Sequence, residues 1–430
     1  MIDINLIREN PGLIKKNLEK RNKNDKIKLF NELISLDKKY RKTLQKIESL
    51  RHERNIISAK INELKKQNKD ANKEIKRARD LPEEIKNLEE ENNKSKERIN
   101  LFLLELPNIL EKNVPIGKDA SQNPVIKKIG KIKKFNFDLK NHAELLEELG
   151  YADFEQGISN SGKGFNYLTG QIAILDLALQ RYGVEFLIKN GFTAIVPPML
   201  LNHKTLLGAL NGLKDFEDVV YKVENEDLYL IGTAEHSLVS FYKNKTLNEK
   251  DLPKKIFAAT PCFRKEIGGH GIDTKWLFRM HQFNKVEQVI FAKPEDSLKT
   301  LNYMQSLTEK FFKSLGIPFR VIEICSGDLG NKFAKQYDIE AWFPRQNEYK
   351  EVTSAGSCTD FQARSLNIKY LDKNNEKKYV HILNNTMVAT SRAMVAIIEN
   401  FQQKDSSIKI PKILHKYTGF KVIKCQEMKK

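Results

Sequence analysis

From Leu33 to Leu64 the chain sets residues at alternating steps of three and four: Leu33, Leu36, Tyr40, Thr43, Ile47, Leu50, Arg54, Ile57, Ile61 and Leu64. Eight of these ten are apolar or aromatic, and those between are mostly Lys, Arg, Glu, Asn and Ser. Only a long helix laid along a partner buries such a stripe. After the polar stretch 65–73 the period resumes with Leu81, Ile85, Leu88, Asn92, Ser95, Ile99, Phe102 and Leu106, where Asn92 and Ser95 weaken the seam in favour of register. Pro82 stands near the start of that second run, where a helix tolerates it or a new one begins. Two long helices with a short polar link predict an antiparallel hairpin over about 30–106. At about 1.5 Å per residue its first helix extends on the order of 55 Å, too long and thin to be a globular core.

The remainder is a different kind of polymer. Residues 107–135 carry three prolines, two glycines and clustered lysines and read as a linker. Beyond it, strand-like segments (193–196, 228–231, 255–259, 288–291, 319–324) alternate irregularly with helical runs near 171–190, 295–315 and 387–402. Several strands lack the helix that a βαβ unit needs, so an α+β domain around a mainly antiparallel sheet flanked by helices is expected. The organisation is therefore 1–108 with the hairpin, a linker over 109–139, and a second domain over 140–430.

Charge adds a partner. The chain carries 74 Lys and Arg against 56 Asp and Glu, a formal +18, and residues 1–100 alone hold 27 against 18. The excess is about three times denser on the hairpin segment, where a polyanion is expected; charge alone does not separate nucleic acid from membrane, and a solvated helix face is the alternative. With 40% hydrophobic residues the chain can fill a large core. No apolar run approaches the roughly 18 residues of a membrane span. The start, MIDINLIRENPGLIKK, has charges where a secretory signal needs its apolar segment, so export is not expected. Cys262, Cys325, Cys358 and Cys425 form no C-x-x-C pair, in keeping with a reducing cytosol, and with the eight histidines they show no zinc-ligand spacing.

One motif is a decoy. Residues 157–164 (GISNSGKG) match a phosphate-binding loop up to the last position, where Gly164 lacks the hydroxyl that Mg²⁺ needs, and the strand-like 165–169 follows in place of a helix. The informative stretch is 261–287. Arg264 and Glu266 stand two apart at a strand end, a loop with Gly268, Gly269 and Gly271 follows, and a second strand holds Arg279, His281, Phe283 and Glu287. A guanidinium, a carboxylate and an aromatic ring on one surface suit a nucleotide, or else form a salt-bridged exposed hairpin. Residues 384–391 lead into a helical run that begins with Arg392. A cation at that end opposes the helix dipole, which makes sense beside an anion, or if Arg392 is exposed or paired with a carboxylate such as Glu351.

Together these stretches resemble a seryl-tRNA synthetase, a class II aminoacyl-tRNA synthetase, along essentially the whole chain. The start IDINLIRENP, the helical hairpin, 191–198 (GFTAIVPP) as the dimer-interface motif, 261–287 as motif two and 384–400 as motif three stand in the family's order. Thr233-Ala234-Glu235 is similar to the serine-binding triplet, and Glu351-Val352-Thr353-Ser354 follows later. Motif three lacks the glycine-rich form, and Thr386, where bacterial members often carry serine, resembles archaeal or eukaryotic versions. The hairpin and the intact triplet argue against the family's zinc-dependent branch.

The resemblance implies a serine–tRNA ligase working through seryl-adenylate, with ATP and Mg²⁺ and no zinc. Arg264 would hold the α-phosphate, Arg392 the γ-phosphate, Phe283 the adenine ring and Glu266 its amino group. Lys265, Met280, Val352 and Thr353 complete the ATP site, and Glu351 and Ser354 would hold Mg²⁺ through ATP. Thr233, Ala234 and Glu235 would receive the substrate ammonium, and Glu287 with Thr386 its hydroxyl, so that alanine is rejected because it leaves these groups unpaired. The catalytic set is Arg264, Arg392 and Glu351. The hairpin would cross a homodimer to the long variable arm of tRNA(Ser), with Lys65, Lys66, Lys69, Lys73, Arg77 and Arg79 as phosphate contacts. A cytoplasmic homodimer, no membrane, and serylation of tRNA(Sec) as a further family capability complete the implication. The competing readings are a non-catalytic RNA-binding paralogue and a class II ligase for another small amino acid.

Overall fold

A computed structural model describes residues 1–210, 212, 218–266 and 276–425. They form two compact units, Met1–Glu19 with Lys23–Leu106, and Lys20–Asn22 with Pro107–Lys430.

The first unit holds α1 (Ile4–Glu9), α2 (Pro11–Lys20), α3 (Lys26–Lys66) and α4 (Asn72–Glu105). Helices α3 and α4 pair antiparallel along the heptad stripe, with Leu33, Ile47, Leu50, Leu81, Ile85, Ile99 and Leu103 buried. Beside the seam runs a ladder of ion pairs at seven-residue steps: Glu32 with Arg98, Lys39 with Glu91, Lys46 with Glu84 and Glu53 with Arg77. Exposed pairs of this kind add little stability one by one, but their common spacing admits one register. Arg54 is exposed although it falls on the stripe, while Asp37 is buried and held by Arg8 at 2.6 Å and Arg41 at 3.0 Å. Pro82 neither starts nor breaks a helix: α4 begins ten residues earlier and runs through it, giving up one backbone hydrogen bond while the seam keeps packing. At the turn, Lys65 and Lys66 close α3 and Lys73 lies in the first turn of α4.

The second unit is built on an eight-stranded sheet of β1 (Val125–Ile129), β2 (Thr193–Ala194), β3 (Lys254–Phe263), β4 (Gln282–Ala292), β5 (Phe319–Glu323), β6 (Lys335–Phe343), β7 (Glu348–Ser357) and β8 (His381–Ala389), in the order β1-β5-β6-β7-β8-β4-β3-β2. Every neighbouring pair is antiparallel except β2 with β3. Helices α5 (Phe154–Ser161), α6 (Gly170–Lys189), α7 (Ala234–Ser240), α8 (Ser297–Leu315), α9 (Phe361–Leu366) and α10 (Thr390–Phe401) surround it. The largest apolar cluster joins α6, α8 and α10 to the sheet through residues such as Leu179, Phe311, Val286, Met387 and Ile397.

Two expectations are corrected. Residues 387–389, read as helix, are the end of β8, and the helix starts at Thr390; an apolar run buried on all sides carries no period to tell strand from helix. The stretch read as linker contributes the edge strand β1. No helix among the described residues is long and apolar enough to cross a membrane.

Candidate active site

Strands β3, β4, β7 and β8 and the start of α10 frame an open cleft of about 600 Å³. Arg264, Glu266, Met280, Phe283, Glu351, Val352, Thr353, Thr386 and Arg392 line it, together with Arg279 of the same hairpin and with Phe278 and Lys285, which the sequence did not single out. The β3–β4 register sets Cys262 opposite Phe283 and carries Arg264 just past the strand end. Arg264 is aimed by its Nε, which donates to Gly232 O at 3.0 Å, and its guanidinium lies 5.4 Å from the Phe283 ring centre. Arg279 donates to Glu266 Oε2 at 2.5 Å. The glycines at 268, 269 and 271 lie outside the described residues.

Arg392, third residue of α10, donates to Glu351 O at 2.9 Å and lies 3.2 Å from Glu351 Oε1. Its guanidinium also sits 5.1 Å from the Phe278 ring centre. The pairing with Glu351 is therefore present, and both side chains remain open to the cleft.

The Glu351–Ser354 spacing is explained by a bulge. Glu351 pairs with Glu340 and Thr353 with Ile339, so Val352 is the extra residue. Asp338 and Glu340 stand two apart on β6 and share a face, and their partners Ser354 and Glu351 therefore share it too. Gln336 Nε2 donates to Ser354 Oγ at 2.9 Å and to Asp338 Oδ1 at 3.1 Å. Burial and the neighbouring Glu351 charge push the Asp338 carboxyl well above the usual carboxylate range. This cluster of oxygen donors suits a hard cation such as Mg²⁺ that keeps substrate phosphates as its other ligands. Among the described residues no group of three or more His, Cys, Asp or Glu is arranged to hold a metal unaided. Ser354 and Lys265 do not line the cleft.

Below the cleft lies a buried polar floor. Thr386 and Glu287 are direct cross-strand partners, and Thr386 Oγ1 donates to Glu287 Oε2 at 3.0 Å. Lys285 Nζ reaches the same oxygen at 2.7 Å. Burial raises the Glu287 pKa against the opposing charge of Lys285. Thr233 caps α7, its hydroxyl accepting from Glu235 N at 3.2 Å. Glu235, 5% exposed, takes Lys332 at 2.5 Å and Gln362 at 2.7 Å, both on Oε1. Lys332 and Gln362 were missed because nothing in a local pattern joins positions so far apart in sequence.

The decoy stretch is not one glycine-rich turn: residues 157–161 are the end of α5 and only 162–164 turn, and Gly164 there has a packing reason. Gly164 has φ +88°, and a Cβ there would lie 2.3 Å from His281 Cδ2. His281 N donates to Gly164 O at 3.1 Å and Arg264 N to His281 O at 2.9 Å, so the turn braces the strand that carries Phe283.

In the first unit Arg77 is taken by Glu53 at 2.7 Å and Glu84 at 3.2 Å. Lys65, Lys66, Lys69, Lys73 and Arg79 were expected to share its role, and all five are exposed.

Residues 1–110 match the family model of the seryl-tRNA synthetase N-terminal domain, and 220–401 that of the class II tRNA synthetase core domain (G, H, P, S and T). The chain is 46% identical to the serine–tRNA ligase of Methanocella arvoryzae over 97% of its own length and 98% of the relative's. The seryl-tRNA synthetase of Pyrococcus horikoshii, solved complexed with ATP, superposes with a TM-score of 0.92 at 45% identity, covering 99% of this chain and 100% of that one. The cytoplasmic serine–tRNA ligase of Naegleria fowleri, solved with AMP, gives 0.86 at 32% identity, with 99% of both chains covered.

Proposed function

The chain belongs to the seryl-tRNA synthetase family and is an ATP-dependent serine–tRNA ligase, and on that premise we propose the roles of its residues and the two steps they serve. The serine carboxylate attacks the α-phosphorus of ATP, the bond to the β-phosphate oxygen breaks, and seryl-adenylate and diphosphate form. The terminal ribose hydroxyl of tRNA(Ser) then attacks the seryl carbonyl and AMP leaves. Arg264 stabilises charge that builds on the α-phosphate, Arg392 holds the γ-phosphate, and Phe283 stacks on the adenine. Glu266 accepts the adenine amino hydrogens through Oε1 while Arg279 occupies Oε2. Glu351 and Ser354 would hold Mg²⁺, which when bound neutralises charge on the departing diphosphate. Positioning and electrostatics supply the rate, with no covalent enzyme intermediate.

Glu235, with Thr233 and Ala234 at the start of α7, receives the substrate ammonium, and Glu287 with Thr386 its hydroxyl. The observation that carries this reading is the buried Thr386–Glu287 pair, which leaves Glu287 Oε1 without a hydrogen-bond partner among the described residues. ATP–diphosphate exchange with each of the twenty amino acids, tRNA absent, tests it. Serine-dependent exchange lost on Arg264→Ala is expected; exchange with none of them overturns it in favour of an RNA-binding paralogue.

Residues 1–108 serve as the tRNA-binding domain and 140–430 as the catalytic domain. The hairpin takes the variable arm of tRNA(Ser) through Lys65, Lys66, Lys69, Lys73 and Arg79, with Arg77 holding the hairpin together. The working form is a cytoplasmic homodimer. Val196 and Met199, exposed apolar residues in and next to the segment similar to the dimer-interface motif, support that assembly. Serylation of tRNA(Sec) follows where the cell supplies that tRNA.

A further inference from the structure

We propose that Lys332 is a positioning residue of the amino-acid pocket, holding one oxygen of Glu235 so that the other stays open to the substrate ammonium. The proposal rests on the reading of Glu235 as the ammonium ligand. Glu235 Oε1 receives both Lys332 Nζ at 2.5 Å and Gln362 Nε2 at 2.7 Å, and among the described residues no hydrogen bond falls on Oε2. Gln362 donates through the same amide nitrogen to Ala209 O at 2.8 Å, which fixes its angle of approach.

Lys332 itself is held from behind. It lies in the irregular segment before β6, where the buried Arg21 guanidinium donates to Leu329 O and Gly330 O at 3.3 Å and to Phe333 O. Asn108 Nδ2 donates to Lys332 O at 3.0 Å and to Cys358 O at 2.8 Å. A flexible side chain on a backbone fixed this way delivers its ammonium to one place.

The groups facing Glu235 explain why a cation is needed there. His236 on its own helix is neutral, its pKa pushed down to about 3 chiefly by burial. Glu287 from β4 repels it, and Lys285, which would offset that charge, is bound to Glu287. Arg264 is aimed into the cleft, and the Cys358 thiol is kept protonated by burial. Burial works to raise the Glu235 pKa, yet the charge and hydrogen bond of Lys332 bring it below the ordinary glutamate value. Without Lys332 the carboxylate is a buried charge facing a second carboxylate, and it takes up a proton. A protonated Glu235 is a poor acceptor for an ammonium group.

The test is ATP–diphosphate exchange by the full chain from pH 6.5 to 8.5, with serine and ATP varied separately. Lys332→Met should raise the KM for serine about tenfold or more at pH 7, leave the KM for ATP within about twofold, and recover as pH rises and Glu235 ionises. A serine KM within about twofold of the parent, an equal rise in the KM for ATP, or a defect that does not change with pH overturns the proposal. Glu235→Gln separates the two levels. If it leaves the serine KM unchanged, the reading of Glu235 falls; if it raises that KM while Lys332→Met does not, the role of Lys332 alone falls. Should Lys332→Met not fold, Gln362→Met removes the second arm: about a threefold rise in serine KM is expected, and no rise overturns the proposal.

Discussion

Replacing Thr386 by valine keeps the branched shape and deletes one hydroxyl, so it isolates the floor of the amino-acid pocket. Thr386 is 8% exposed and donates to Glu287 Oε2, which then keeps only Lys285 at 2.7 Å. A hydrogen bond to a charged acceptor contributes about 1.5–3 kcal/mol, and each 1.4 kcal/mol is tenfold, so kcat/KM for serine should fall roughly 10- to 100-fold. Alanine offers no hydroxyl, so its poor kcat/KM should move little and the serine-to-alanine ratio should fall by nearly the same factor. The pH profile should change as well. Burial already raises the Glu287 pKa, and losing a donor to its ionised form raises it further, so the variant should lose serine activation at a higher pH than the parent on acidification. Diphosphate exchange with serine and alanine, each at saturating ATP and over pH 6–8.5, measures all of this. An unchanged serine-to-alanine ratio would falsify the assignment of Thr386, as would a loss of ATP affinity equal to the loss for serine.

Three further outcomes are expected. Replacing Lys65, Lys66, Lys69 and Lys73 together by glutamine should weaken tRNA charging far more than diphosphate exchange, and should flatten the log–log salt dependence by about 3, at roughly 0.7–0.9 per phosphate contact; equal salt slopes would contradict the phosphate contacts. His236, drawn to about 3 from 6.5 by burial, takes up a proton in the unfolded chain but not in the folded one as pH falls through that window. It contributes stability above pH 6.5 that is lost on acidification, so denaturant titrations of His236→Gln should show a flatter loss of stability between pH 6.5 and 3 than the parent. Gly164→Ala meets both a positive φ and the His281 ring; urea titration should show a loss of about 2 kcal/mol or more, and exchange kinetics a raised KM for ATP as the strand bearing Phe283 shifts.

What could be read from sequence was what neighbours in sequence determine. The hairpin was legible because a coiled coil states its partner face every three or four residues, and the seven-residue ion-pair ladder repeats that statement in charge. The Arg264–Phe283 hairpin was legible because two strand patterns that follow each other in sequence tend to be neighbours in the sheet, and these two pair antiparallel. The limits are equally local. Met387, Val388 and Ala389 are buried on every side, so their pattern contains no solvent face from which to infer a period, and the strand end passed for helix. Glu351 and Ser354 stand three apart, a helical spacing inside a strand, and only the bulge at Val352, set by pairing with β6, brings them to one face. Lys332 is further still from inference. It lies 97 positions from the carboxylate it serves, in a stretch with no regular structure. Its place depends on Arg21 and Asn108 holding the backbone around it, two residues equally unremarkable in sequence. A charge that sits in a loop and is buried cannot be told from a solvated one until the fold closes over it. The electrostatics of the pocket floor are therefore a property of the tertiary structure, and variants at Lys332 and Gln362 probe that structure more directly than variants at any residue a motif would nominate.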